Sequence, residues 1–252
     1  MRTAAGLLAL AVLLTGCLSP RYNLTKGAVT PAVPINAIFA PAPLEASLRA
    51  LITYKAPGSW KLEALWDEYV VTVLNPGPEP LVVAAGILTD DAGIARTAGV
   101  GPWRLEKESK ALEKQYRHTG RAFVRYTAPG VIIVGGGAAA VASAGVMTTA
   151  AAGAAITTVV LLPAYYLVVW NENSIHKAEV MAEFDRRRLA LPLTLQPGEV
   201  RTGSLFFPMV ASPWSLTLAT RQGTVGSVAV LRLDFLAGLH LKPAKPAPAG
   251  QK

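Results

Sequence analysis

The longest uncharged stretch of the chain places the strongest constraint on its fold. Between Arg125 and Glu172 the sequence contains no Asp, Glu, Lys, Arg or His, although the segments on both sides are densely charged. One continuous helix over this stretch, at about 1.5 Å per residue, would be roughly twice as long as the ~30 Å core of a bilayer is thick, whereas two helices of about 17–20 residues would each span it. We therefore predict a hydrophobic helical hairpin over residues 128–170. The alternative is an Ala/Gly-rich helix pair buried in a soluble core or in an oligomer interface.

The hairpin divides into arms at 131–147 and 154–170, with a bend of small residues between them. Small side chains recur every four residues along the first arm and into the bend, which lets two helices approach closely in lipid. The predicted helix-packing residues are Gly136, Gly137, Ala140, Ala144, Gly145 and Gly153. Amphipathic aromatic residues near the end of the second arm favour a membrane–water boundary. The predicted membrane-interface residues are Arg125, Tyr165, Tyr166 and Trp170.

Residues 1–16 have the length and charge order of a secretory signal peptide, since Arg2 precedes an apolar run. The run ends in Leu14, Thr15 and Gly16, directly before Cys17. This motif resembles the lipobox of bacterial lipoproteins. The resemblance implies that the peptide is cut before Cys17 and that the Cys17 thiol is lipidated. The alternative is an ordinary signal peptide in which the cysteine falls at this position by chance.

Cys17 is the only cysteine of the chain, so no internal disulfide can form. Two or three acyl chains at this position would give stable membrane anchoring. In bacterial lipoproteins of two-membrane cells, Asp after the Cys favours the inner membrane. Leu18 and Ser19 follow here, so the resemblance implies an exported protein anchored at the periplasmic face of the outer membrane.

Two regions, 44–102 and 189–241, contain short runs of β-branched and aromatic residues between Pro/Gly turns. Their six or seven predicted strands favour an antiparallel immunoglobulin-like β-sandwich, and the fold class is α+β. Neither region has enough strands for a closed core, so we predict that they are two halves of one domain. Residues 17–43 are predicted to be a lipidated Pro-rich tether, 44–54 a short helix, and 242–252 a disordered tail.

The insertion between the two halves, residues 103–188, has a charged stem on each side of the hairpin. We predict a helix over 103–126 and a second helix that Asn173 caps and that ends at three arginines, residues 186–188. Both stems belong on one side of a bilayer, which a hairpin allows. The basic residues of the stems either attract anionic lipid headgroups or are ordinary solvated charges.

Motifs for catalysis are absent from the sequence. His118, His176 and His240 lack the spacing of a zinc site. His118 and His176 could meet if the hairpin forms, but we interpret them as solvent-exposed. The Gly-rich run at 135–137 lacks the Lys-Ser/Thr of a phosphate loop. We predict no catalytic residues, no metal and no cofactor, and an export signal argues against nucleic acid as a partner despite a net charge of +8.

These features favour a non-enzymatic lipoprotein of the bacterial cell envelope that acts as a structural or interaction module. Residues 135–153 are similar in outline to the glycine-zipper segments of some outer-membrane lipoproteins, which implies a role in membrane integrity or envelope stress. The expected partners are membrane lipid, through acylated Cys17 and the hairpin, and a second copy or another envelope protein. The alternative function is a subunit of a multimeric envelope pore or transport complex.

Substitution of Cys17 tests the inference that the chain is a lipoprotein. We expect Cys17→Ala to abolish both the incorporation of labelled palmitate and cleavage before residue 17, because the thiol is the only acceptor. Metabolic labelling and mass spectrometry of the amino terminus measure both effects. An unlabelled wild-type protein would contradict the prediction.

Overall fold

The structure is a computed structural model that describes residues 23–27, 29–40, 43–62, 64–118, 123–125 and 162–241. Eleven β-strands and two longer α-helices make up the described part of the chain. The strands are β1 Asn23–Leu24, β2 Pro34–Ile38, β3 Glu45–Ile52, β4 Lys61–Leu62, β5 Asp67–Leu74, β6 Leu81–Asp90, β7 Ala95–Thr97, β8 Leu193–Leu195, β9 Val200–Phe207, β10 Pro213–Gln222 and β11 Val225–Arg232. The helices are α1 Pro102–His118 and α2 Leu162–Arg187, and a short 3-10 helix covers Asp234–Leu236.

Nine of these strands form two antiparallel sheets that enclose a common core, as in a β-sandwich. One sheet has the order β2-β3-β5-β9; the other has the order β11-β10-β6-β7, with β8 also paired to β6. Strand β5 pairs with β9 along its whole length, and β6 pairs with β10. Strands from before and after the insertion are therefore neighbours in both sheets, which is the pairing that the sequence predicts.

The core between the sheets follows the two-residue period of the strands. Tyr69, Val71 and Val73 of β5 point inward, and Leu216 and Leu218 of β10 face them from the other sheet. Tyr69 packs edge-on against Phe207, with ring centroids 5.4 Å apart.

The prediction of a helix over residues 44–54 is wrong, because most of this segment forms strand β3. Leu44, Ala46 and Leu48 are buried and alternate with less buried residues. Leucines four positions apart fit both a helical face and one face of a strand, so their spacing does not distinguish the two. Pairing with β2 and β5 on either side makes the segment a central strand.

Two short strands lie inside the range predicted to be a tether. Strand β1 pairs with β4, and β2 pairs with β3 as an edge strand of the four-stranded sheet. The Ala40 N–H then donates to the Val230 carbonyl of β11, which joins the end of β2 to the other sheet. Only the residues before Asn23 remain for a tether.

The helices differ from the predicted stems in their limits. Helix α1 ends at His118 rather than at residue 126. Asn173 lies in the interior of α2, so its predicted role as an N-cap is wrong. The Arg-rich end is as predicted: α2 ends at Arg187, where cations complement the partial negative charge of a helix C-terminus.

A second apolar cluster fastens both helices to the outer face of the four-stranded sheet. Phe206 of β9 and Trp66 lie on this face, and Leu105 of α1 and Val180 and Phe184 of α2 cover them. The Phe184 and Phe206 rings stack with centroids 4.1 Å apart. The base of the insertion is therefore packed onto the sandwich.

Gly203 of β9 allows the chain that follows α2 to run directly against this sheet. A Cβ atom at Gly203 would lie 2.9 Å from the Leu189 Cβ and 3.0 Å from the Leu189 Cα. Leu189 is held there because its N–H donates to the Ser204 carbonyl at 2.9 Å. A side chain at position 203 would therefore push the end of α2 away from the sheet.

We expect Gly203→Ala to lower the free energy of unfolding by about 1–3 kcal/mol, because the backbone of residue 189 must move. Chemical denaturation of the purified full-length protein in one detergent measures this. The matched control is Gly226→Ala in β11, where the nearest atom to an added Cβ is 4.0 Å away. Equal effects of the two substitutions would contradict the close-packing explanation.

Candidate functional site

Most of the residues that the sequence predicts to be functional lie outside the described residues. These are Leu14, Thr15, Gly16, Cys17, Gly136, Gly137, Ala140, Ala144, Gly145 and Gly153. Tyr165, Tyr166 and Trp170 belong to α2, for which the structure describes only the backbone at these positions. Arg125 is described, and the described part of the predicted site consists of the two flanks of the uncharged run.

The first flank, residues 123–125, is held against the sandwich. Phe123 forms an antiparallel bridge with Leu241, and the Val124 N–H donates to the His240 carbonyl at 2.9 Å. Arg125 donates through Nε to Glu113 of α1 at 3.0 Å and also contacts it through Nη2 at 2.9 Å. Arg125, the predicted membrane-interface residue on this flank, thus has a protein partner in the described structure.

His240 and Asp67 form a buried pair beneath this flank. Both side chains are fully buried, and His240 Nε2 lies 2.9 Å from Asp67 Oδ2. His240 Nδ1 lies 3.2 Å from the Val124 carbonyl oxygen, and the Phe123 ring stacks on the imidazole with centroids 5.7 Å apart. Both partners of the ring nitrogens are hydrogen-bond acceptors, a backbone carbonyl oxygen and a carboxylate. The pair therefore links β5, through Asp67, to the start of the uncharged run.

The second flank is held by the residue next to Asp67. Glu68 is fully buried on the opposite face of β5, where Trp60 Nε1 donates to it at 2.6 Å and Ser204 Oγ at 2.6 Å. Arg187, the last residue of α2, places Nη1 3.5 Å from Glu68 Oε1 and lies over the Trp60 ring. Asp67 and Glu68, consecutive side chains on opposite faces of β5, therefore hold the two flanks of the uncharged run.

Arg187 is in turn positioned by Glu183, one helical turn earlier. Glu183 accepts hydrogen bonds from Arg186 and Arg187, and chiefly the Arg186 contact lowers the pKa of Glu183 to about 2. Glu183 is thus ionised at neutral pH, so the end of α2 combines two arginines with a compensating carboxylate.

Lys61 is a fully buried cation that interacts with Glu68 and Asp67. We call these three side chains, with Trp60, Trp66, Tyr69 and His240, the buried cluster. The Lys61 ammonium donates to the Trp66 carbonyl at 2.7 Å and lies 4.8 Å from the centre of the Trp66 ring. Burial lowers the pKa of Lys61 from 10.5 to about 8, although the charges of Glu68 and Asp67 oppose this shift. The side chain is therefore close to its titration range under mildly alkaline conditions.

Several polar atoms of the cluster have no hydrogen-bond partner among the described residues. These are Trp66 Nε1, Asp67 Oδ1 and Tyr69 Oη. Burial, together with the charge of Asp67, raises the pKa of the Tyr69 hydroxyl well above 10. Tyr69 is thus neutral at physiological pH, and its side chain and that of Asp67 are inaccessible to a solute in this conformation.

Sequence reasoning did not identify this buried cluster. The spacing of His240 gives no zinc motif and does not indicate a buried partner. The one available signal is the presence of four charged residues within positions 61–68, interleaved with Trp60 and Trp66. His118 is exposed, as predicted, whereas His176 is only partly exposed and its Nδ1 is buried. No group of three or more His, Cys, Asp or Glu that could hold a metal occurs in the part of the chain that the structure describes.

No known protein family, curated protein or solved structure matches this chain. Within the described ranges, neither helix combines the length and the apolarity that are needed to cross a bilayer. The greater part of the predicted hairpin, residues 128–161, lies outside those ranges.

The buried ammonium of Lys61 predicts a specific dependence of stability on pH. Between about pH 8 and 10.5 the unfolded chain binds one more proton than the folded chain at this position, so the free energy of unfolding rises with pH across this window. The full effect is roughly 3 kcal/mol, from a pKa difference converted at about 1.4 kcal/mol per unit. We expect Lys61→Met to lose this rise.

Urea denaturation at about pH 7 and about pH 10 measures the rise in the free energy of unfolding for wild type and for Lys61→Met, because most of this window lies between these values. Lys114→Met serves as a control, since Lys114 is an exposed lysine of α1. The same increase in stability for wild type and Lys61→Met would show that Lys61 does not titrate in this range.

Proposed function

We propose that this chain is a non-enzymatic lipoprotein of the bacterial cell envelope, exported and anchored through acylated Cys17, most simply at the periplasmic face of the outer membrane. Its sandwich, of immunoglobulin-like type, acts as a structural or interaction module. Its insertion over 103–188 carries a helical hairpin that inserts into lipid or associates with other copies. Membrane lipid and envelope proteins are its partners, and it requires no cofactor.

The observation that carries this proposal is that one sandwich holds both flanks of the uncharged run. Residues 123–125 are attached through His240 and Glu113, and α2 is attached through Phe184 and Arg187. A run that leaves and returns to the same body favours a hairpin over a single crossing. The absence of charge over its whole length favours lipid as its environment.

Helix α2 begins inside the uncharged run and continues as a stem to the sandwich. Val180 and Phe184 pack against the sheet, whereas the helix starts at Leu162. From Leu162 to Val180 the helix rises by eighteen residues, or about 27 Å. The proposed interface residue Trp170 is then about 15 Å along the helix from Val180. This length separates the sandwich from the proposed membrane boundary.

The N-terminal attachment lies beside the same stem. Strand β1 packs against α2, and Leu24 contacts the cluster that contains Val180 and Phe184. Five residues lie between Cys17 and Asn23, and the six residue steps correspond to a reach of at most about 20 Å. The acylated cysteine and the hairpin would therefore contact the membrane on the same side of the sandwich.

Four forms of the protein test this proposal: wild type, a form exported behind a signal peptide without Cys17, a form with residues 128–161 replaced by a short Gly/Ser linker, and the combination. We expect each single change to leave the protein in the membrane fraction, because the other attachment remains. We expect only the combination to be released as a soluble periplasmic protein. Density-gradient flotation and detergent-phase partitioning measure the distribution.

The form without Cys17 separates the two attachments. Its complete release would show that the hairpin does not insert into lipid and would leave acylation as the only anchor. Wild-type protein in the soluble fraction would reject the lipoprotein proposal as a whole. Thermal denaturation of the released combination form checks that the sandwich is folded.

A further inference from the structure

A cavity of about 260 Å³ lies where the first turns of α1 meet α2. Its lining residues are Trp103, Glu106, Lys107, Lys110 and Lys177. Lysines from two helices, far apart in sequence, thus face one concave surface. The cavity is separate from the buried cluster beneath the insertion.

The electrostatics of the cavity favour an anion. Three lysines and one carboxylate line it, and this carboxylate, Glu106, is buried and paired with Lys110. Lys177 places its ammonium 5.7 Å from the centre of the Trp103 ring. Helix α1 begins at Pro102 with no acidic residue in its first turn, so the partial positive charge of the helix N-terminus adds to that of the lysines.

The position of the cavity indicates the source of the anion. Lys177 follows Trp170 by seven residues in the continuous helix α2, which is a rise of about 10 Å. The polar layer of a bilayer leaflet is roughly 5–8 Å thick beyond its hydrocarbon core. With Trp170 at the membrane boundary, Lys177 lies about 2–5 Å beyond this layer, a distance that a long lysine side chain spans. Trp103 is a residue type that favours this layer.

We propose that this cavity binds the phosphate of an anionic phospholipid headgroup, with Lys107, Lys110 and Lys177 as its ammonium donors and Trp103 beside them. The proposal rests on the proposed function, because the headgroup reaches the cavity only if the hairpin enters the membrane. Bound in this way, a headgroup would hold α1 and α2 together at the membrane surface and would fix the orientation of the sandwich.

The test measures the reactivity of individual lysines in the full-length protein. Purified protein is reconstituted into phosphatidylcholine vesicles with or without about one-third phosphatidylglycerol, and a water-soluble amine reagent is added. We expect Lys107, Lys110 and Lys177 to react about fivefold more slowly in the anionic vesicles, the factor that corresponds to about 1 kcal/mol per basic residue near an anionic surface. Mass spectrometry gives the rate for each lysine. Added salt should reduce the protection.

Lys55 and Lys114 are internal references, since both are exposed and neither lines the cavity. Equal slowing of these lysines would indicate general attraction to the surface and would overturn the proposal. Equal rates for the cavity lysines in the two kinds of vesicle would also overturn it. Flotation of the same samples shows separately whether the protein is in the membrane, so failure of the proposed function is distinguishable from failure of this inference.

A paired substitution tests the site itself. We expect Lys107→Gln with Lys177→Gln to remove the protection of Lys110, which keeps its partner Glu106. The matched control is Lys55→Gln with Arg221→Gln, which removes two exposed charges elsewhere and should leave the protection of Lys110 intact. Protection of Lys110 that survives in the first pair would overturn the assignment. Circular dichroism checks that both pairs are folded.

A last measurement distinguishes a lipid headgroup from a free anion as the ligand of the cavity. Inorganic phosphate at millimolar concentration is added to detergent-solubilised protein, and the same three rates are measured. We expect little change, because the proposed ligand is held by the bilayer as well as by the lysines. Protection equal to that in anionic vesicles would assign the cavity to soluble phosphate and would overturn the lipid proposal.

Discussion

The aromatic outer face of the four-stranded sheet is the feature on which the rest of the structure depends. Phe206 and Trp66 lie on a face that an antiparallel sheet often exposes to water, and covering each large apolar side chain contributes about 1.5–3 kcal/mol. Phe184 and Val180 of α2 provide the cover, together with Leu105 of α1. The base of the insertion is therefore part of the folded unit. Any force on the uncharged run is transmitted to the sheet through this packing.

Charged groups buried beside that packing fix the position of the insertion relative to the sheet. Apolar contacts alone tolerate sliding, whereas a buried carboxylate needs its partners at particular positions. Asp67 and Glu68 are neighbours on β5 and point to opposite faces, so one secures the flank at Val124 through His240 and the other secures α2 through Arg187. The two flanks of the uncharged run are thereby held in a fixed relation to one strand. A membrane-inserting segment on this base would carry the sandwich as a rigid attachment.

Much of the sandwich could be predicted from local pattern. Strands β5, β6, β9, β10 and β11 lie within the two predicted regions, where alternating residues and Pro/Gly turns indicate them. Leu44, Leu48 and Leu51 fit the period of a helix as well as that of a strand, so local pattern predicts a helix where the neighbouring strands make β3. A polar residue after an apolar run resembles a helix start, so the sequence predicts a cap at Asn173, although α2 continues through it. The buried partners of Lys61 and His240 are distant in sequence, so no local pattern indicates them.

Local sequence is enough to establish the alternation that makes strands, the turns between them and the charge-free length of the run between residues 125 and 172, because these properties depend on neighbouring residues only. Long-range packing establishes the rest: β2 and β3 complete the sheet, α1 and α2 cover its outer face, and Lys107, Lys110 and Lys177 share one cavity. These outcomes depend on contacts between residues far apart in the chain. Their free energies arise from burial and charge pairing, which exist only once the sheets have formed.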